Sequence, residues 1–113
     1  MSILAAAIAH YESLPVQTID VPEWGATIYY RTPNAQTLAI CQRESNGNAH
    51  EFGARLVATC SMNEAGERLF NKLDYKDLML RTDPGVLSRV AGAIAAQATL
   101  NASPAGLEDA AKN

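Results

Sequence analysis

Two histidines, two cysteines and a set of scattered carboxylates are the residues of this chain with chemistry to offer, and their spacing decides what kind. His10 and His50 stand forty positions apart, with no HxxxH or HExxH pairing and no cysteine at ligand spacing, so they do not compose a metal site. His50 beside Glu51 reads as part of a helix start, and His10 as a cation-capable group near a helix C-terminus, where it complements the dipole. Cys41 and Cys60 are nineteen positions apart and fall within amphipathic helical segments. They read as buried free thiols of a reducing compartment, not as a disulfide or a nucleophile, which would need an electropositive niche. The seven glycines never form GxGxxG or GxxxxGK, so no phosphate cradle is visible. Glu64 with Glu67, and Glu108 with Asp109, are spaced like solvated surface charge. No catalytic residue, cofactor or metal ligand is expected, and the chain does not read as an enzyme.

What remains is binding, and composition limits the partners. With 113 residues the chain makes one domain, long enough to take roughly 65% of its unfolded surface out of water. Hydrophobic residues make up 48% and charged residues 19%, which places the chain among globular proteins. Nine Lys and Arg against twelve Asp and Glu give no basic stripe, so nucleic acid is not an expected partner. The apolar run from Ile3 is not preceded by Lys or Arg and is ended by His10, Tyr11 and Glu12, so neither a secretory leader nor a membrane span is expected, and a cytoplasmic location is.

The periodicities predict an α+β domain, mainly helical, with about six helical segments and one antiparallel β-hairpin near residues 16–31. Ser2 caps a first helix over residues 3–13, with Leu4, Ile8 and Tyr11 on one face, and Pro15 stops it. VQTIDV alternates apolar and polar, Pro22-Glu23-Trp24-Gly25 turns, and ATIYYR resumes, so residues 16–21 and 26–31 pair, with Ile19, Val21, Ile28 and Tyr30 sharing a face. A two-stranded ribbon is marginal in water and must lean on helices or on another chain. Thr32-Pro33 is read as the start of a helix to about Ser45. Asn48 with Glu51 three residues on predicts a reciprocal cap for a helix to about Ser61, with Phe52, Leu56 and Cys60 on one face. NEAGERLF breaks at Gly66, Asp74 caps a short helix through Leu80, and Asp83-Pro84 opens the longest helix, to about Asn101. A last short helix after Ser103-Pro104 begins a flexible tail from about residue 102.

Candidate interface residues come from two places. Trp24, Tyr29 and Tyr30 concentrate large aromatics in a hairpin, and tryptophan at a protruding turn is a common interface anchor. Leu87, Val90 and Ile94 line the last long helix beside the small-residue run AGAIAAQA, which lets another helix approach closely, within the chain or across a subunit boundary.

VPEWGATIYYR, an ARLVATC helix, and NEAGERLF leading into a short acidic-capped helix together resemble the tail assembly chaperones of lambda-like long-tailed bacteriophages. There a VPEWGG-type hairpin precedes a phrase such as ARLVALC, a DEDGNRLF-type turn and a final helix of small and apolar residues. The likeness spans about residues 16–101, and Ala26 stands where the family often has a second glycine. It implies a chaperone in the host bacterial cytoplasm that coats the tape-measure protein and leaves before the virion is finished, working as a homo-oligomer without cofactor, nucleic acid or membrane. It also implies a longer form, made by minus-one frameshifting, that recruits the tail-tube protein. Ala111-Lys112-Asn113 can be written GCA AAA AAC, which contains a slippery heptamer, so this chain reads as the short product. The alternative is a small helical interaction or regulatory domain of other function. A helix-turn-helix regulator would need a basic recognition helix, whereas NAHEFGARLVATC carries one Arg and one Glu. A small-molecule domain would need a pocket rimmed by polar groups.

Overall fold

The structure is a computed structural model and describes residues 2–102. Among these, five α-helices and one hairpin follow in the order α1 (Ile3–Ser13), β1 (Gln17–Val21), β2 (Ala26–Tyr30), α2 (Ala35–Ser45), α3 (Ala49–Cys60), α4 (Tyr75–Arg81) and α5 (Pro84–Ala102). Short 3-10 turns at Pro22–Trp24 and Lys72–Asp74 complete it. The mainly helical class with one antiparallel hairpin is as the sequence predicts. The sixth helical segment and the tail after residue 102 lie outside the described residues.

α3 is the centre of the fold. Ala54, Leu56, Val57 and Ala58 on it are all completely buried, so apolar side chains leave it in several directions and neighbours must cover each. α2, α4 and α5 all pack on it. α5 contributes Val86, Leu87, Val90, Ala91 and Ile94 to the core, and the hairpin adds Val21, Ile28 and Tyr30. Gly53 lets α3 and α5 come close: a Cβ built there would sit 3.1 Å from the Ala91 Cβ.

In the hairpin Ile19 stands opposite Ile28, Thr18 opposite Tyr29 and Val21 opposite Ala26. Its inner face is the one the alternation predicts: Val21, Ile28 and Tyr30 are buried and Ile19 packs against them. The ribbon is not alone. Met62 exchanges backbone hydrogen bonds with Tyr29 at 2.8 and 2.9 Å, and the chain turns at Gly66 so that Arg68 bridges back to Met62. The NEAGERLF segment thus continues the sheet beyond β2 and covers an edge that would otherwise be open.

Caps set the helix starts. Ser2 accepts from the Ala5 N–H, and Asn48 accepts from the Glu51 N–H, both as the sequence predicts. The reciprocal half of the Asn48 box is absent, because the Glu51 carboxylate takes the Arg55 Nε–H at 2.8 Å instead. α2 begins later than read from Thr32-Pro33: Asn34 is its cap, accepting from the Thr37 N–H at 2.8 Å. Pro33 biases the residue before it toward extended backbone, so the chain stays non-helical until Asn34 offers its side chain. Asp74 does not cap α4 either. It closes the preceding 3-10 turn by accepting from the Asn71 N–H at 2.8 Å.

Leu56→Ala is expected to cost about 2–5 kcal/mol, since it empties a fully buried site in the central helix. Leu80→Ala, at a residue 82% exposed, should change stability by less than about 0.5 kcal/mol. Urea unfolding followed by circular dichroism measures both.

Candidate protein-interaction surfaces

The hairpin tip is built by Pro22, which fixes the first residue of a single 3-10 turn, and by Gly25, which supplies the left-handed backbone at φ 63° that ends it. The tip does not protrude. Glu23 receives two hydrogen bonds from Arg89 of α5, at 2.7 and 3.0 Å, in fork-on-fork geometry. Trp24 meets Phe70 edge to face, with centroids 6.4 Å apart and planes at 79°. The tip is therefore folded down onto α5 and the NEAGERLF segment, and Trp24 is half-buried.

Of the six candidate interface residues, four belong to the core of this chain. Tyr30 is 4% exposed, Leu87 5%, and Val90 and Ile94 have no exposure. The small-residue helix thus presses its apolar stripe onto α3 within one chain, the within-chain alternative, and Gly53 permits that approach. Tyr29 and Trp24 keep partial exposure. Tyr29 lies on the hairpin's outer face with Thr18, Asp20 and Thr27, where Thr27 Oγ1 donates to Asp20 at 2.9 Å.

Two further apolar surfaces and one mixed cleft escaped the sequence reading. α1 has no buried residue, and Ile3, Leu4 and Ile8 are 88%, 70% and 49% exposed. Between α3 and α5 runs an open groove of about 250 Å³, lined by Phe52, Gly53, Leu87, Ala91, Gly92 and Ala95, with His50 and Ser88 as its polar members. On the other side of α3, Ile40, Cys41, Thr59, Leu73 and Tyr75 border a cleft of about 180 Å³. Arg55 borders it too: its guanidinium lies 3.8 Å from the Tyr75 ring centroid while Glu51 and Glu44 flank it at 2.8 and 3.7 Å. The Glu51–Arg55 spacing of four was the one available sequence signal for this cluster.

The two thiols are buried or half-buried, and the two imidazoles stand on separate helices. Burial pushes the Cys41 thiol up and the Cys60 thiol up to about 12, so both stay protonated near neutrality. Both cysteines are free. His10 and His50 are exposed on separate helices, and among the described residues no cluster of three His, Cys, Asp or Glu side chains could hold a metal ion. No described helix is long and apolar enough to cross a membrane.

Against solved structures, the chain matches the tail assembly chaperone of bacteriophage HK97 with a TM-score of 0.59, covering 84% of this chain and 93% of that one. The chain has the fold of that chaperone. Identity is 19%, so what the two share is an arrangement of helices and hairpin more than a set of side chains. No family model and no curated protein matches the sequence.

The Glu23–Arg89 pair gives a direct check on the folded tip. The Arg89 hydrogen bonds, then a backbone hydrogen bond, hold the Glu23 carboxyl at about 2 against an ordinary 4.5. Because the folded value lies below the unfolded one, the pair's contribution is complete above 4.5 and is lost as pH falls through about 2. Both side chains are solvent-exposed, so the pair fixes orientation more than it stabilises. Carboxyl NMR should find Glu23 titrating near 2, and Arg89→Ala should return it toward 4.5. A wild-type midpoint near 4.5 would mean that the Glu23–Arg89 pair does not persist in solution.

Proposed function

We propose that this chain is a phage tail assembly chaperone that binds the tape-measure protein and keeps it soluble during tail morphogenesis, without becoming part of the virion. The observation that carries the reading is the fold shared with the HK97 tail assembly chaperone over 84% of the chain. Physical features support it. A long amphipathic helix is held soluble by covering its apolar stripe, which calls for open apolar surface and repeated copies and for no bond-making step. The chain offers such surface on α1 and between α3 and α5.

Binding is to be driven by burial, with no nucleotide or metal, in the host cytoplasm. Tyr29 and Trp24 are the candidate contacts that retain exposure. A frameshifted longer form that shares this domain brings in the tail-tube protein, and a homo-oligomer of the short form lines the tape measure. The residues at which the longer form would diverge lie outside those described.

Capture of a tape-measure segment by the purified chain should survive chelator and the absence of ATP. Tyr29→Ala should weaken capture while leaving the fold intact, because Tyr29 joins Met62 through backbone atoms. Dependence on ATP or a divalent ion would overturn the reading. Trp24→Ala is a less clean variant, since it also removes the contact with Phe70.

A further inference from the structure

Among the described residues the ion pairs belong to Arg55, Arg81 and Arg89. Arg31 and Arg68 stand outside them, and both line one cleft. Each guanidinium is held by main-chain oxygen. Arg31 Nη2 donates to the carbonyls of Glu12 and Leu14 at 3.0 and 3.3 Å, closing the C-terminal end of α1, and Arg68 Nη2 donates to the Ala58 carbonyl in the last turn of α3 at 3.2 Å. Helix C-termini attract cations, so these contacts orient the side chains, but a carbonyl does not neutralise them. A guanidinium carries five N–H donors, and these bonds use Nη2 alone.

The cleft is built before any ligand arrives. Arg68 bridges to Met62 and Met62 to Tyr29, two residues before Arg31, so backbone pairing sets the spacing of the two arginines. The Tyr11 hydroxyl donates to the Thr32 carbonyl at 2.6 Å and holds the end of α1 at the rim. Thr37 and Thr59 add hydroxyls to the lining, Pro33 and Met62 add apolar surface, and no Asp or Glu lines it. The carboxylates adjacent in sequence are directed elsewhere. Glu12 offers Arg31 its carbonyl, and Glu67 accepts the Asn63 Nδ2–H at 3.0 Å. Two positive charges without a carboxylate between them thus share one cleft on a chain whose net charge is -3.

Its volume decides the kind of ligand. At about 210 Å³ the cleft is smaller than the roughly 300–1,000 Å³ of pockets that enclose a small molecule, so it suits one side chain reaching in from a larger body. Guanidinium forks match a carboxylate, whose two oxygens accept parallel N–H bonds, and Pro33 and Met62 offer apolar cover to the residues on either side of it. We propose that this cleft binds an acidic segment of a partner protein, with one Asp or Glu carboxylate seated between Arg31 and Arg68. The contact is driven by charge, so it weakens as salt rises and tolerates varied sequence around the acid. It does not rest on the chaperone reading, and its test needs no tape-measure protein, so either can fail alone.

The full chain, labelled with heavy nitrogen, is titrated with a short peptide of glycine and glutamate, with its glutamine counterpart and with inorganic phosphate, while arginine Nε–H and backbone amide signals are followed. The glutamate peptide should move the Arg31 and Arg68 Nε–H signals and the Thr37 and Thr59 amides saturably, with an affinity that falls as sodium chloride is raised. The glutamine peptide should leave them in place. Arg68→Gln should weaken binding about fivefold. Arg31→Gln should do the same, and Arg31→Lys, which keeps the charge, should recover part of it; that recovery separates lost charge from a loosened α1. Arg81→Gln, at a side chain 79% exposed and outside the cleft, should bind as the wild type does. Unmoved arginine signals, a glutamine peptide that binds as well as the glutamate one, or unchanged affinity in Arg68→Gln would overturn the proposal. Phosphate binding as tightly as the peptide would overturn it too, by assigning the cleft to a free anion.

Discussion

The close crossing of α3 and α5 at Gly53 and Ala91 is the constraint on which the other elements depend. A Cβ on residue 53 would meet the Ala91 Cβ at 3.1 Å, nearer than side chains ordinarily stand. With glycine there, Leu87, Val90 and Ile94 reach the interior that Ala54, Leu56, Val57 and Ala58 present from α3. The hairpin then has a surface to lie on: Val21 and Ile28 close the same core, and Arg89, one residue from Val90, fixes Glu23 at the tip. A two-stranded ribbon unable to persist alone becomes a stable lid because the packed helices give it a surface to cover.

That arrangement also decides what is left for partners. The apolar stripe of α5 is consumed within the chain, so the residues that looked most like a helix-binding face are core. What stays open is at the margins: α1, which stands away from the body, and the groove and cleft flanking α3. Among the described residues the thiols are raised by burial and the two histidines stand on separate helices. The core is sealed and apolar surplus is displayed outside it, the disposition on which the proposed function rests.

The legible features were those set within a few residues of sequence. Ser2 and Asn48 cap as their types demand, and the alternation in VQTIDV and ATIYY fixes which side chains of the hairpin turn inward. Asn34 is hidden in the sequence by Thr32-Pro33 just before it, an equally valid local start signal, and only the backbone bias before proline separates the two. The missing information was long-range. Glu23 and Arg89 are 66 positions apart, Trp24 and Phe70 are 46, and no periodicity links either pair. The exposure of α1 was equally invisible, since an apolar spacing of four states that a face wants covering and not that its own chain will cover it.

The central claim, that the chain acts by covering apolar helix, is tested most directly by the solubility of the tape-measure protein itself. Purified tape-measure protein diluted from denaturant is followed by light scattering with increasing amounts of this chain. The account predicts that scattering is suppressed only as the chain approaches enough copies to line the partner's length, with no ATP present and the chain found in the soluble complex. Full aggregation at any ratio, or suppression by a trace of the chain that leaves it unbound, would contradict it.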